Sequence, residues 1–221
     1  MDTNENERAS GQIQAAVFDL GKVLVDFDYS IAVRRIAARG TMSAEEIGRV
    51  MLTAPLLLEY ESGKITSDAF FRRVCDITGY CGELGEFADQ FADIFTPIEP
   101  MIALQRDLRR QGLPTFIFSN TNDLAIRHIR KSFPFFAGFT GYVLSYEHGL
   151  MKPSSEFYEV VEQRTGFRGP EIFYLDDRQE NVEPALARGW RAVVHENPDK
   201  TLQCVASLGL LKGRAETKPS G

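Results

Sequence analysis

Short apolar runs along the chain end abruptly in polar clusters. Ala15-Ala16-Val17-Phe18 leads into Asp19 and the turn Leu20-Gly21-Lys22, and Thr115-Phe116-Ile117-Phe118 leads into Ser119-Asn120. Gly149-Leu150-Met151 runs into Lys152-Pro153, and Glu171-Ile172-Phe173-Tyr174-Leu175 into Asp176-Asp177. Continuous apolar runs of this length predict strands buried on both faces, each delivering a polar group at its carboxyl end. From residue 115 onward strands at 115–118, 141–144, 172–175 and 191–194 alternate with helical stretches at 123–132, 155–165, 179–188 and 200–207. That alternation predicts an α/β fold, a parallel sheet with helices on both faces. Pro100 suits a first helical position, Gly112 the stop of that helix, and Gly166, Gly189 and Gly209 the stops of later ones.

Between the first strand and Pro100 the character changes. Ser43-Ala44-Glu45-Glu46 has the form of a capping box, Thr66 to Phe71 opens a second helix that stops at Gly79, and residues 83–95 form a third. This predicts a helical subdomain over 29–97 inserted into a core made of 15–28 and 98–211, with polar, aperiodic tails at 1–14 and 212–221. The insertion leaves after the first strand and returns before the second, so it lies over the carboxyl ends of the strands, where open α/β sheets bind ligands. It is therefore a candidate lid, or an accessory helical bundle.

Composition narrows the possibilities. A formal charge of −6, from 25 basic and 31 acidic residues, argues against nucleic acid or an anionic membrane as the principal partner. Three cysteines, Cys75, Cys81 and Cys204, fit neither a zinc cluster nor a disulfide framework, and the N-terminus is acidic where a signal peptide is basic and then apolar. A cytoplasmic protein, monomer or homodimer, is the expectation.

Asp19 is ionised at neutral pH if its pKa is ordinary, and needs no base to act as a nucleophile. Against a phosphate dianion, charge repulsion must be cancelled. Asp176 and Asp177 could hold Mg²⁺ together with Asp19, Ser119 could bond a phosphoryl oxygen, and Lys152 supplies a fixed positive charge. Singly these residues read as caps, turns or a surface lysine. Together, in this order and strand context, they read as a site for phosphoryl transfer that lacks a proton donor.

The segments Phe18-Asp19-Leu20-Gly21, Phe118-Ser119-Asn120, Met151-Lys152-Pro153 and Leu175-Asp176-Asp177-Arg178-Gln179-Glu180-Asn181 resemble, in order, the four motifs of the haloacid dehalogenase-like hydrolases. The resemblance implies a Rossmann-like, doubly wound core with a helical cap, and a phosphoaspartyl intermediate on Asp19. It also implies Mg²⁺ held by Asp19, the Gly21 carbonyl, Asp177 and Asp176, and phosphate gripped by Ser119, Asn120 and Lys152. Residues 59–65 and Phe70 look most like small bacterial phosphatases of sugar phosphates such as α-D-glucose 1-phosphate. One departure stands out. The family's phosphatases usually carry an aspartate two residues after the nucleophile as general acid and base, and here that residue is Gly21, followed by Lys22. His148, Glu147, Glu59 and Glu61 are the candidate substitutes.

His128 and His195 read as decorating a helix and a strand end, Phe91 and Phe95 as helical core of the insertion, Phe133, Phe135, Phe136 and Phe139 as packing of a loop and helix end, and Tyr60 as core or substrate contact. Two other readings remain open: a 2-haloacid dehalogenase-type hydrolase, and a phosphate-binding protein impaired in catalysis through Gly21.

Overall fold

The computed structural model describes residues 11–53 and 55–211. Five parallel strands form its main sheet in the order β5-β4-β1-β6-β7, with β1 Ala15–Phe18, β4 Thr115–Ser119, β5 Gly141–Leu144, β6 Ile172–Asp176 and β7 Arg191–Val194. The chain winds outward from β1 through β4 to β5, then returns to β6 on the other side of β1. That reversal places the topological switch at β1, flanked by β4 and β6.

The alternation of side chains along a strand explains why these segments are apolar throughout. In β1, Ala16 and Phe18 enter one apolar cluster, with Ile117, Phe173 and Leu175, against helices α6 (Glu99–Arg110), α7 (Asp123–Ser132) and α11 (Pro198–Ser207). Ala15 and Val17 enter the other, with Phe118 and Tyr174, against α9 (Ser155–Thr165) and α10 (Gln179–Ala187). Each face is covered, so neither set of positions can be polar. Gly166, expected as a helix stop, closes α9 in the left-handed conformation, φ 78°, and Asn122, not singled out from the sequence, caps α7 by accepting from the Ala125 N–H at 3.0 Å.

Among the described residues, five helices lie between β1 and α6: α1 Tyr29–Ala37, α2 Ala44–Thr53, α3 Pro55–Glu61, α4 Ser67–Thr78 and α5 Leu84–Ala92. They gather around their own apolar cluster, in which Tyr60 stacks on Phe70 with ring centroids 4.4 Å apart and Phe87 on Phe91 at 5.6 Å. Leu124 of α7 joins that cluster from the core side. The Ser43–Glu46 capping box forms, with the Ser43 N–H donating to the Glu46 carboxylate at 2.9 Å and the Glu46 N–H to the Ser43 hydroxyl at 3.3 Å.

Three sequence expectations are corrected. The third helix of the insertion ends at Ala92, and Phe95 belongs to β3 (Phe95–Pro97), which pairs antiparallel with β2 (Val25–Phe27) in a two-stranded ribbon where the chain leaves and re-enters the core. Three residues are too few for a period of two to register. Lys152 does not end a strand; it sits in a loop after the short helix α8 (Ser145–His148), next to a cis Lys152–Pro153 peptide. The tails expected over 1–14 and 212–221 fall outside the described residues for 1–10 and 212–221. Residues 11–14 are held against the core: Ile13 is buried, and the Gln14 N–H donates to the Glu171 carbonyl at 2.7 Å.

Glu162 ties α9 to the segment between α10 and β7. Its carboxylate accepts from Arg188 Nη2 at 2.7 Å and from Trp190 Nε1 at 3.0 Å. Burial alone would raise its pKa, but these two donors outweigh that and hold it below the usual range. Glu162→Ala should lose about 1–3 kcal/mol of stability, because the indole N–H of Trp190 is left without a partner and the Arg188 guanidinium keeps only its contacts with Ser155 and Glu159. The group's contribution is complete above the unfolded glutamate pKa and disappears as pH falls through the depressed folded value. Denaturant titrations should therefore show a gap between wild type and variant that is wide at neutral pH and closes in acid.

Candidate active site

The ends of β1, β4 and β6 converge. In β1, Phe18 lies opposite Ile117 of β4 and Leu175 of β6, so the residues that follow emerge side by side. Oxygens of Asp19, Asp176 and Asp177 lie within 4.8 Å of one another. Lys152 Nζ reaches into this cluster, 2.9 Å from Asp19 Oδ1 and 2.6 Å from Asp176 Oδ2, and also donates to the Phe118 carbonyl at 3.0 Å. The lysine side chain is 1% exposed.

The four charges do not share one environment. Burial raises the Asp19 pKa and the Asp176 charge adds to it, against the pull of Lys152. Asp177 is raised by burial and by Asp176. Burial would raise Asp176 too, but the Lys152 ammonium prevails and holds it low. For Lys152, burial would lower the pKa, and the two carboxylates more than offset that. Three carboxylates against one ammonium leave an excess of negative charge in a low-dielectric corner, the arrangement a hard divalent cation neutralises.

Asp176 is saturated with partners. Oδ2 accepts from Lys152 and the Tyr174 hydroxyl, and Oδ1 from the Arg178 N–H and Asn181 Nδ2, both at 2.9 Å. These four donors match the four acceptor positions of a carboxylate. Tyr174 precedes Asp176 by two residues on the same strand and so points to the same face. Neither Tyr174 nor Asn181 was assigned a role from sequence, although the two-residue spacing was a usable signal for the tyrosine.

Asn120 fixes the lysine loop. Its Nδ2 donates to the Lys152 carbonyl at 2.9 Å, and its Oδ1 accepts from the Lys152 N–H at 2.8 Å. The reciprocal pair holds the backbone of Lys152 beside the end of β4. Ser119 is buried, and its hydroxyl donates to the Asn120 carbonyl at 3.3 Å. The Asp19 carboxylate accepts the Leu20 N–H at 2.7 Å.

Asp19, Gly21, Ser119, Asn120, Lys152 and Asp177 line one cavity of about 500 Å³. The structure thus brings together every residue expected at the site, with Asp176 buried directly behind. From the helical segment and the ribbon come Phe27, Tyr29, Leu58, Glu61 and Phe95; the sequence pattern could not reveal which of their faces turned inward. Lys22 also lines the cavity, in the left-handed conformation, φ 58°. Its ammonium is paired with Asp26, donates to the Phe27 carbonyl at 3.0 Å and lies 4.6 Å from the Phe27 ring centre.

Other candidates fall outside the cavity. Glu59 pairs with Arg73, and Glu147 accepts from the Tyr146 hydroxyl at 3.1 Å. His148 packs near Phe157, His195 is buried against Thr201 at 2.7 Å, and the Tyr60 hydroxyl contacts Ser67 at 2.7 Å and accepts from the Leu124 N–H at 3.1 Å.

A parallel sheet that gathers a buried aspartate and an acidic pair at its strand ends, with a lysine reaching in from a neighbouring loop beside one open cavity, has the make-up of an enzyme of α/β fold. Residues 13–189 match the haloacid dehalogenase-like hydrolases, and the chain belongs to that family. It is 27% identical over 177 residues to the sesquiterpene phosphatase astK of Aspergillus oryzae, covering 80% of this chain and 86% of that one. It is 23% identical over 192 residues to a D-ribitol-5-phosphate phosphatase of Bacteroides thetaiotaomicron, covering 84% and 93%. A HAD family enzyme of Bacteroides thetaiotaomicron, solved as a complex with magnesium and inorganic phosphate, superposes with a TM-score of 0.73 at 24% identity, over 82% of this chain and 93% of that one.

Proposed function

We propose that this chain is a Mg²⁺-dependent phosphatase of small phosphorylated metabolites, acting through a phosphoaspartyl intermediate on Asp19. The observation that carries the reading is the meeting of Asp19, Lys152 and Asp177 at one mouth of the sheet, with an excess of carboxylate over ammonium. The donor set fits the ion: hard oxygens from Asp19, Asp177 and the Gly21 carbonyl. Bound there, Mg²⁺ supplies charge neutralisation between nucleophile and phosphate.

The chain's own residues do the rest. Asp19 attacks phosphorus, and the Lys152 ammonium sits where charge gathers on the phosphoryl oxygens. Ser119 and Asn120 bond those oxygens from the end of β4. Asp176, with its acceptor positions already engaged, holds Lys152 in place and acts on the metal through charge. Water then hydrolyses the phosphoaspartate. The helical segment over 29–97 serves as the cap and closes the cavity over the substrate, within a core of 15–28 and 98–211.

A sugar or polyol phosphate is supported by the ribitol-phosphate phosphatase among the relatives. Phe27, Leu58 and Phe95 give the cavity apolar walls, which favours a second reading, a phosphate on an apolar carbon skeleton, in line with the sesquiterpene phosphatase. No helix among the described residues is long and apolar enough to cross a membrane, and three free cysteines support a reducing, cytoplasmic setting.

Phosphate release from ribitol 5-phosphate, glucose 1-phosphate and farnesyl phosphate, each with Mg²⁺ or with EDTA, tests the reading. Release with Mg²⁺ that EDTA stops supports it and ranks the two substrate types. Turnover of 2-chloropropionate in EDTA, with no phosphate released from any ester, would replace it with dehalogenation.

A further inference from the structure

A phosphate ester of an ordinary alcohol cannot expel its alkoxide without a proton, so a phosphatase built on Asp19 needs an acid beside the leaving oxygen. At residue 21 there is no side chain to provide one, and little room for it. A Cβ added to Gly21 would lie 2.9 Å from Cε1 of Phe27, whose ring occupies that side of the cavity. An aspartate at residue 21 does not fit while Phe27 keeps its place on the ribbon.

The other titratable groups of the cavity are few. Asp19 is the nucleophile and Asp177 is engaged at the metal site. Lys152 is held between Asp19 and Asp176, Lys22 is paired with Asp26 and Arg178 with Glu180. Tyr29 and Glu61 remain, and burial drives the Tyr29 phenol far above its ordinary range.

We propose that Glu61, carried into the cavity on the last turn of α3, is the general acid that protonates the leaving oxygen. This rests on the phosphatase reading above and adds the missing proton donor to it. Its placement is tied to the phosphate-binding loop: the Ser145 hydroxyl donates to the Glu61 carbonyl at 2.6 Å and accepts the Thr121 N–H at 2.9 Å. One hydroxyl thus joins the backbone of the acid to the segment that follows Ser119 and Asn120. Just beyond, Gly63 in the left-handed conformation, φ 67°, packs so closely on the Tyr146 carbonyl that a Cβ would stand 2.2 Å from the oxygen. This second contact with α8 presses the end of α3 onto the core. Burial, opposed by the neighbouring Tyr29 hydroxyl, raises the Glu61 pKa to about 7, so the carboxyl retains its proton where ordinary glutamates have lost theirs.

The steps balance. As the bond from Asp19 to phosphorus forms and the ester P–O bond breaks, the Glu61 proton passes to the departing oxygen, and the alcohol leaves neutral. In the second step water attacks phosphorus, the Asp19–phosphorus bond breaks, and the Glu61 carboxylate takes a proton from the water. The acid is restored.

The test compares wild type with Glu61→Gln and Glu61→Asp on phosphate esters of graded leaving-group basicity, from ethyl phosphate to 4-nitrophenyl phosphate, with Mg²⁺. Because kcat/KM reports the phosphorylation step, it should fall about 10²- to 10⁴-fold on ethyl phosphate in Glu61→Gln, and progressively less as the leaving group becomes a weaker base. Glu61→Asp, which keeps the acid on a shorter arm, should lie between the two. On 4-nitrophenyl phosphate the glutamine variant should release a burst of nitrophenolate and then stall at the phosphoenzyme. An equal fall on every ester would make Glu61 a structural residue and overturn the proposal, as would no fall at all. If the folded wild-type protein releases phosphate from none of the esters, the phosphatase reading itself fails and this inference with it; a working wild type with an unchanged leaving-group dependence sinks Glu61 alone.

Discussion

Asp19→Asn should reduce Mg²⁺-dependent phosphate release by about 10⁴-fold or more, to the level of a blank, while leaving the fold intact. An amide of nearly the same shape keeps the packing at the end of β1 and can still accept the Leu20 N–H that now bonds the carboxylate at 2.7 Å. What it lacks is the charge and lone-pair nucleophilicity that attack phosphorus, and one of the oxygens offered to the metal. The loss should appear in kcat and in kcat/KM together. Thermal unfolding of the variant without metal should fall no lower than that of wild type, because Asp19 is a buried carboxylate whose pKa is raised, so its charge costs stability in the folded state. Full activity in Asp19→Asn would remove the nucleophile assignment.

The second large effect is expected at Lys152, on activity and stability at once. Lys152→Met keeps the bulk of the side chain but withdraws the ammonium that stands 2.9 Å from Asp19 and 2.6 Å from Asp176. Breaking a buried pair by removing one partner typically costs about 3–5 kcal/mol, because the remaining charge stays buried and uncompensated. Phosphoryl transfer should fall by about 10²- to 10³-fold or more, the range found when one preorganised charge or donor is lost at a reacting centre.

The pH dependence should change sign at Asp176. In wild type its folded pKa is depressed, so its contribution is present above the unfolded aspartate value and is lost as pH falls through the folded one. With the ammonium gone, burial raises the folded pKa, and the variant loses stability as pH rises through the unfolded value. Denaturant titrations between acid and neutral pH, in EDTA and then in Mg²⁺, should show the variant weakest at neutral pH without metal and partly recovered with it. A variant as stable as wild type under all of these conditions would mean that Lys152 is not the counter-charge of the cluster.

Much of this arrangement is legible in the sequence for a physical reason. Strands buried on both faces must be apolar at every position, so β1, β4 and β6 stand out as runs, and the polar residue that ends each run is the one the sheet delivers to the switch point. Helix ends are equally readable, because the Ser43–Glu46 box at the start of α2 and Gly79 at the end of α4 each satisfy a local backbone requirement. Features that depend on contacts far apart in the chain are hidden. The β2–β3 ribbon is three residues on each side, separated by the whole helical segment, and no local period marks it. Lys152 looks like a surface lysine before a proline; its burial comes from Asp19, Phe118 and Asp176, all distant in sequence. In the sequence Glu61 and Glu59 are equivalent, two residues apart on one helix. A helical step of two residues turns them to different sides, so that one enters the cavity and the other meets Arg73.

The central claim is that Asp19 becomes phosphorylated, and trapping that intermediate tests it most directly. The protein is mixed with 4-nitrophenyl phosphate and Mg²⁺, quenched in acid during turnover, reduced with borohydride and mapped by peptide mass spectrometry. Borohydride converts an acyl phosphate on aspartate to homoserine. The account predicts homoserine at residue 19, dependent on Mg²⁺ and on the ester. Turnover with Asp19 unmodified and the phosphate carried by another residue would contradict it.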